Sequence, residues 1–422
     1  MPQLKPEVES FARIKVIGVG GSGGNTLNHM VNEKVKGIDF IAVNTDAQDL
    51  HKSEAKKKIH IGKNLTKGLG TGMSPELGRK AIEETKEEVQ EAVKGSDMVF
   101  ISCGLGGGTG SGASPVVAQI ARESGALTVA VVTKPFFFEG QHRTRIANEA
   151  LLALRDEVDA IIVIPNDRLL NNISKETTAK HAFALCDEVL KQAVEGISDL
   201  ITTPGIINID FADVKAVLKD AGTALMGIGI ASGENRAAEA ARIAINSPLL
   251  DVSVNGAKGV LFSIAGSEDL TMFEIQDAAK IITESMDPDA RVIFGTIKDD
   301  KLNKGEVRVT IIASGFPAEL GQQAVRSQQS PSFTRPREEN TIEDRPEKSK
   351  IFNVLGRDKD REPEPQMQQE QRQPEPIKQP EPVRQHVQEE KPKGGNKPLP
   401  PAQDEDDEWS AVPAFLRRSK LK

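Results

Sequence analysis

MVFISCGLGGGTGSGASP, Met98 to Pro115, decides how the rest of the chain is read. Its opening residues are almost wholly apolar, as in a strand covered on both faces. Six glycines then fall within the nine residues Gly104–Gly112. Pro115 suits the first turn of a helix. A glycine run between strand and helix lets a ligand approach backbone amides, and a helix N-terminus favours an anion. Phosphate is the first expectation. The run has no lysine, which the usual mononucleotide loop carries, so something else must meet the charge.

Around this stretch, short apolar runs alternate with helical patterns. RIKVIGVG, DFIAVNTD, ALTVAVVT and DAIIVIPND read as further buried strands. A helix opens over Gly24–Val31, and others fit Pro115–Ser124 and Gln141–Glu157. SPELGRKAIEETKEEVQEAVKG reads as one helix, with Ser-Pro at its start and Gly at its stop. The expected fold is α/β: an N-terminal Rossmann-like domain with a mostly parallel sheet over 12–176. A long helix from Thr177 to Gly196 and TTPGIINIDFADV, a strand entering a helix, fill 177–221. GTALMGIGIA, AKGVLFSIAGS, ARVIFGTIKD and EVRVTIIASG predict a second α/β domain with its own mixed sheet over 222–317.

Residues 1–11 read as a disordered extension. From 318 to 408, Gln, Pro, Glu, Arg and Lys dominate and no apolar period survives, which predicts a disordered linker. As a flexible coil of roughly 85 residues its mean reach is about 50 Å. Residues 409–422 regain Trp409, Val412, Phe415 and Leu416, followed by four basic residues. That pattern suits a docking peptide; the alternative is a solvated end with stray apolar residues.

The totals exclude several classes. A net charge of −8 over 422 residues is a poor match to a nucleic-acid surface, and the absence of Tyr argues against stacking on single strands. Cys103 and Cys186 show no paired spacing, and the histidines give no metal-ligand pattern. No apolar run suits a signal region or a membrane span. A cytoplasmic protein is expected.

Two more glycine loops share the grammar of the first. IGVGGSGGN, Ile17–Asn25, places Gly18, Gly20 and Gly23 in a G-x-G-x-x-G pattern, which also allows an NAD-dependent oxidoreductase. Asp39, however, starts its strand, the wrong end for a ribose-binding acid. GLGTGMSP, Gly68–Pro75, again runs from glycines into a helix start. Three such loops suit a di- or triphosphate held by backbone; singly, each could be only a tight turn. Thr109 and Ser111 add hydroxyl donors.

GGGTGSG, together with NIDFADV, VNTD and FFFEGQHR, resembles the tubulin/FtsZ superfamily, and most closely its FtsZ branch of bacterial cell-division GTPases. The resemblance runs from about Phe11 to Phe316, and VPAFLRRSK looks like the branch's terminal partner-binding motif. It implies GTP and GDP as ligands with Mg²⁺ beside them. Gly21, Ser22, Gly23, Gly24 and Asn25 would lie under the nucleotide. Gly70, Thr71 and Gly72 would stand near the γ-phosphate, and Gly107, Gly108, Thr109 and Gly110 would cradle the phosphates. Glu139 and Arg143 would hold the ribose side, and Asn166 and Asp187 would read guanine with Phe183 stacked on the base. Without the resemblance, Phe183 would read as core and Asp187 as a solvated face. Asn208, Asp210 and Asp213 would be catalytic, acting on the nucleotide of the next subunit; alone, NIDFADV is an ordinary strand end with an Asp cap.

The resemblance further implies a head-to-tail homopolymer forming a division ring at midcell. Trp409–Lys420 would bind membrane adaptors and division regulators, with no direct membrane insertion. A plasmid-segregating relative is the alternative within the superfamily. The sequence departs from the commonest FtsZ pattern at Gly24, Thr71, Met73, Phe137 and His142, and at Ser410 and Ala411.

Overall fold

A computed structural model describes residues 12–170, 176–247, 250, 256–267, 269–299 and 301–316. The expected N-terminal extension, linker and terminal peptide lie outside these residues. The chain opens with β1 (Ile14–Val19), α1 (Gly20–Asn32), β2 (Ile38–Asn44), α2 (Ala47–Lys52), β3 (Lys57–His60) and α3 (Lys63–Thr66). Next come α4 (Pro75–Glu83), α5 (Lys86–Val93), β4 (Met98–Gly104), α6 (Gly108–Glu123), β5 (Leu127–Lys134), α7 (Gln141–Arg155), β6 (Ala160–Pro165) and α8 (Asn166–Leu170). Then α9 (Ala179–Thr202) and α10 (Phe211–Leu218) lead to β7 (Gly222–Ser232), α11 (Arg236–Ile245), β8 (Gly259–Gly266), α12 (Met272–Glu284), β9 (Arg291–Lys298) and β10 (Glu306–Ser314).

The strands form one ten-stranded sheet in the order β3-β2-β1-β4-β5-β6-β7-β10-β8-β9. The first six are parallel to their neighbours. The apolar runs are explained by burial on both faces. In β1, Ile14 and Val16 join one core with Leu27 and Met30 of α1. Ile17 and Val19 point the other way, into a core with Ile82 of α4, Val89 of α5 and Val117 of α6. The expected second sheet continues the first. β7 pairs in parallel with β6 only over Gly222–Ala224 and antiparallel with β10 along most of its length.

α9 lies between the two halves. Cys186, Val189, Leu190, Ala193, Val194, Ile197 and Leu200 repeat at helical spacing and are buried together. Gly196 lets α9 approach β10 closely, since a Cβ there would stand 3.0 Å from Thr310 Cγ2. Asp187 and Glu188 of α9 bond Thr26 and His29 of α1, and Thr202 packs on Gly37 just beyond the end of α1. The two helices therefore run the same way, from the carboxyl edge of the parallel strands to their amino edge.

Four local expectations change. The helix over 74–95 is divided, because Thr85 leaves helical geometry to become the N-cap of α5, its hydroxyl donating back to Ala81. α1 and α6 begin at Gly20 and Gly108, ahead of Gly24 and Pro115, because tertiary packing of the glycines overrides their poor propensity. No strand forms before α10. Residues 203–210 are a loop fastened to β9, where Ile207 N–H donates to Thr296 Oγ1 at 2.8 Å and Thr296 N–H donates to Ile207 O at 3.0 Å. β3 is a short strand at the sheet edge bearing exposed Lys57 and Lys58, a lysine-rich edge of the kind that discourages further pairing.

Candidate functional site

The strand order reverses between β1 and β4, since β2 and β3 lie to one side and β5 and β6 to the other. In open α/β sheets the crevice at the carboxyl ends of such strands is where ligands bind. Two of the three glycine loops leave from those strand ends, Gly20–Asn25 after β1 and Gly104–Gly112 after β4.

The glycines divide into two kinds. One kind has no room for a side chain. A Cβ on Gly104 would stand 2.7 Å from Ser22 Oγ, and one on Gly110 would stand 2.9 Å from Gly104 O. On Gly108 it would overlap Thr71 Oγ1, and on Gly23 it would overlap Ser102 O. A Cβ on Gly20, whose φ is +73°, would stand 3.1 Å from Gly110 N. These glycines lock the three loops together. The other kind faces open space: Gly24, Gly70, Gly72 and Gly107 have nothing within 4 Å of a built Cβ. One loop each supplies Gly24 and Gly107, and the third supplies Gly70 and Gly72, so all three loops present bare backbone to open space.

Hydroxyls brace the loops. Thr109 Oγ1 lies 2.9 Å from Thr45 Oγ1 and 3.3 Å from Thr71 Oγ1. Ser111, expected as a donor to the ligand, is buried and instead accepts from Gly106 N–H at 2.9 Å. Thr45, from the end of β2, joins the cluster although the glycine grammar does not mark it. Neither α1 nor α6 has a side-chain cap, whereas Asp46, Ser74, Thr178, Asp210 and Thr271 cap other helices. The two helices that end at the crevice thus keep N–H groups for an anion.

Beside the crevice, Asn166 starts α8 at the end of β6. It is buried, and its Oδ1 has no partner. An unpaired buried acceptor costs stability, so this orphan fits a site completed by a ligand donor. Arg143 donates to Glu139 Oε2 at 2.6 Å, while its Nε is buried without a partner. Glu139 Oε1 accepts from Phe136 N–H at 3.0 Å, which fixes the pair against the 136–140 turn. Asp187 Oδ1 accepts from Thr26 at 2.8 Å. Burial raises the Asp187 pKa above the ordinary carboxylate value, opposed by that hydrogen bond. Guanine's N1–H and amino donors match such a carboxylate. Phe183 is 46% exposed and meets buried Phe136 edge-on at 5.2 Å, which leaves ring surface for a base. Gly21 lies near Asp49, whose Oδ2 would stand 3.2 Å from a Cβ there, and Ser22 and Asn25 are exposed at the head of α1. The donors, the orphaned acceptor and the open backbone fit a guanine nucleotide.

Asn208, Asp210 and Asp213 are elsewhere. All three are exposed. Asn208 Oδ1 accepts from Gly205 N–H, and Asp210 caps α10 through Ala212 N–H. They follow the far end of α9. From Asp187 to Thr202 that helix rises roughly 22 Å, so one chain cannot bring these acids to its own crevice.

The dinucleotide alternative is not favoured by this geometry. Gly18 and Gly23 serve strand–helix packing, and Asp39 pairs with Lys15 at the amino end of the sheet.

Residues 13–174 match the model of the tubulin/FtsZ family GTPase domain, and residues 222–317 match that of the FtsZ family C-terminal domain. An "FtsZ dimer, empty" from M. jannaschii is 47% identical, with a TM-score of 0.70 over 73% of this chain and 89% of that one. A GDP-bound CetZ1 monomer from Haloferax volcanii is 26% identical, with a TM-score of 0.63 over 75% of this chain and 99% of that one. CetZ2 from the same organism, a GTPγS-bound protofilament, shares the fold at 22% identity and a TM-score of 0.63, over 75% of this chain and 99% of that one. The chain belongs to the tubulin/FtsZ family, and it is a GTPase that binds GTP and GDP.

Proposed function

We propose that the chain polymerises head to tail and hydrolyses GTP between subunits, building the cytokinetic ring at midcell in the bacterial cytoplasm. The observation that carries this reading is the roughly 22 Å of α9 between Asp187 and the loop that holds the acids. A site whose halves lie at opposite ends of one chain is complete only where two copies meet. Such a heterologous contact does not close, and it generates filaments. The dimer and protofilament relatives agree with self-assembly.

In this reading the uncapped N–H groups of α1 and α6 and the open backbone at Gly24, Gly70, Gly72 and Gly107 receive the phosphates. Glu139 and Arg143 hold the ribose side. Asn166 and Asp187 select guanine, with Phe183 on the base. Asn208, Asp210 and Asp213 of the next copy orient the attacking water in line with the γ-phosphate. Among the described residues, no group of three or more metal-ligating side chains occurs; Mg²⁺ would be held largely by phosphate oxygens and would neutralise their charge. Trp409–Lys420 would dock membrane adaptors and division regulators.

The test is Asp210→Asn, which keeps a capping side chain; Ala would also lose the cap, at about 0.5–2 kcal/mol. GTP binding and filaments should persist while turnover falls at least about tenfold, the order expected when a group acting on the transition state is lost. Unchanged turnover would refute the role of the loop.

A further inference from the structure

β3 is a short, lysine-bearing edge strand, yet its last residue reaches the crevice. In the parallel ladder His60 stands opposite Asn44 at the carboxyl end of β2, and Ile61 N–H donates to Asn44 O at 3.1 Å. The imidazole is half-buried, and its Nε2 lies 3.0 Å from the backbone oxygen of Thr45. A carbonyl only accepts, so Nε2 carries the proton. The same ring borders the root of the third loop. A Cβ on Gly68 would stand 3.9 Å from His60 Cε1 and 3.4 Å from Ala47 Cβ, and Ala47 N–H donates to Gly68 O at 3.0 Å. The turn after β2 and the start of the third loop therefore meet beside one histidine.

Thr45 also begins a chain of hydroxyls. Thr45, Thr109 and Thr71 are all buried, and the links from Thr109 Oγ1 to the other two measure 2.9 Å and 3.3 Å. Three hydroxyl protons serve two links, so one is left for a further acceptor. A Cβ built on Gly70 or Gly72 meets nothing within 4 Å, so the side-chain link from this part of the loop to α6 runs through Thr71. We infer that His60 is a positioning residue of the GTPase. By holding Thr45 it fixes the Thr45–Thr109–Thr71 chain, and through that chain it sets the third loop to receive the terminal phosphate of GTP. This rests on the reading above, in which the third loop meets the phosphates. His60 itself touches no part of the nucleotide; it acts through Thr45.

The test uses the full-length chain below its assembly concentration, with melts run beside equilibrium titrations of GTP and of GDP. His60→Gln keeps an N–H at similar reach, and His60→Leu removes the donor; should His60→Leu not fold, His60→Met takes its place. The donorless variant should bind GTP about three- to tenfold more weakly relative to GDP, the size of one lost neutral hydrogen bond. His60→Gln should keep the parent's ratio. Thr45→Val breaks the next link and should shift the ratio as far, and the double variant should go no further, because the two groups act in series. A purely structural role for His60 would lower Tm and weaken both nucleotides alike. That result, a His60→Gln as impaired as the donorless variant, or losses that add in the double variant would overturn the inference. Thr71→Val, at the far end of the chain, tests the reading beneath it. If that variant leaves the GTP-to-GDP ratio unchanged, the third loop does not meet the terminal phosphate, and that reading fails instead.

Discussion

Substituting alanine at two neighbouring glycines should separate the glycines that build the fold from those that meet the ligand. At Gly108 the new methyl would overlap Thr71 Oγ1 and stand 2.7 Å from Ser74 N and 2.9 Å from Ser74 O. Ordinary carbon contacts sit at about 3.5–4.0 Å, so the 71–74 segment must give way. Overpacking of this kind costs about 1–3 kcal/mol, or a fall in Tm of about 2–12 °C at 2–4 °C per kcal/mol. At Gly107, φ is −86° and ψ is 168°, which alanine adopts freely, and the methyl would enter open space. Gly107→Ala should therefore melt like the parent. It should bind GTP about ten- to a hundredfold more weakly, because hydrogen bonds to a charged group are worth about 1.5–3 kcal/mol. Melts without nucleotide and equilibrium titration with a fluorescent GTP analogue measure both. If Gly107→Ala loses stability as Gly108→Ala does, yet binds GTP normally, the division of the glycines is wrong.

Asn166→Ala removes a buried acceptor that has no partner. Tm without nucleotide should hold or rise, while preference for GTP over ATP narrows in competition binding; a preserved preference would remove Asn166 from the base pocket. Asp199 of α9 has its pKa raised to about 7, mainly by burial, with Glu195 adding to the shift and Arg308 opposing it. Its folded form holds a proton that the unfolded chain releases near 3.8, so stability contributed by this group falls as pH rises from about 4 to 7. Asp199→Asn should flatten that part of the stability profile, as measured by urea melts across pH; an unchanged slope would show that another group is responsible.

The strands were legible because burial on both faces leaves little choice of residue; Val99, Phe100 and Ile101 of β4 are all fully buried. β3 was not, because KKIH follows the rules of a guarded edge. The starts of α1 and α6 were hidden, since a glycine reads as a break until its neighbour's backbone is seen against it. NIDFADV illustrates a different limit. Its apolar alternation suggests a strand, but the residues just before it dock on β9 as a loop, through the Ile207–Thr296 hydrogen bonds and with no room for a Cβ on Gly205 beside Thr296 O. The site was legible as chemistry and incomplete as geometry. Glycine spacing marks a phosphate cradle, but Ser111 turning inward and Thr45 reaching Thr109 depend on contacts between residues 5 and 64 positions apart. That the acids stand one helix length from the crevice follows only once α9 is laid beside α1.

If one copy cannot hydrolyse GTP alone, turnover per subunit must depend on total protein concentration. Turnover should be negligible at low concentration, then show a threshold that coincides with the onset of light scattering, then hold a constant rate per assembled subunit. A rate per subunit that is flat from the lowest concentration, with no assembly, would contradict it.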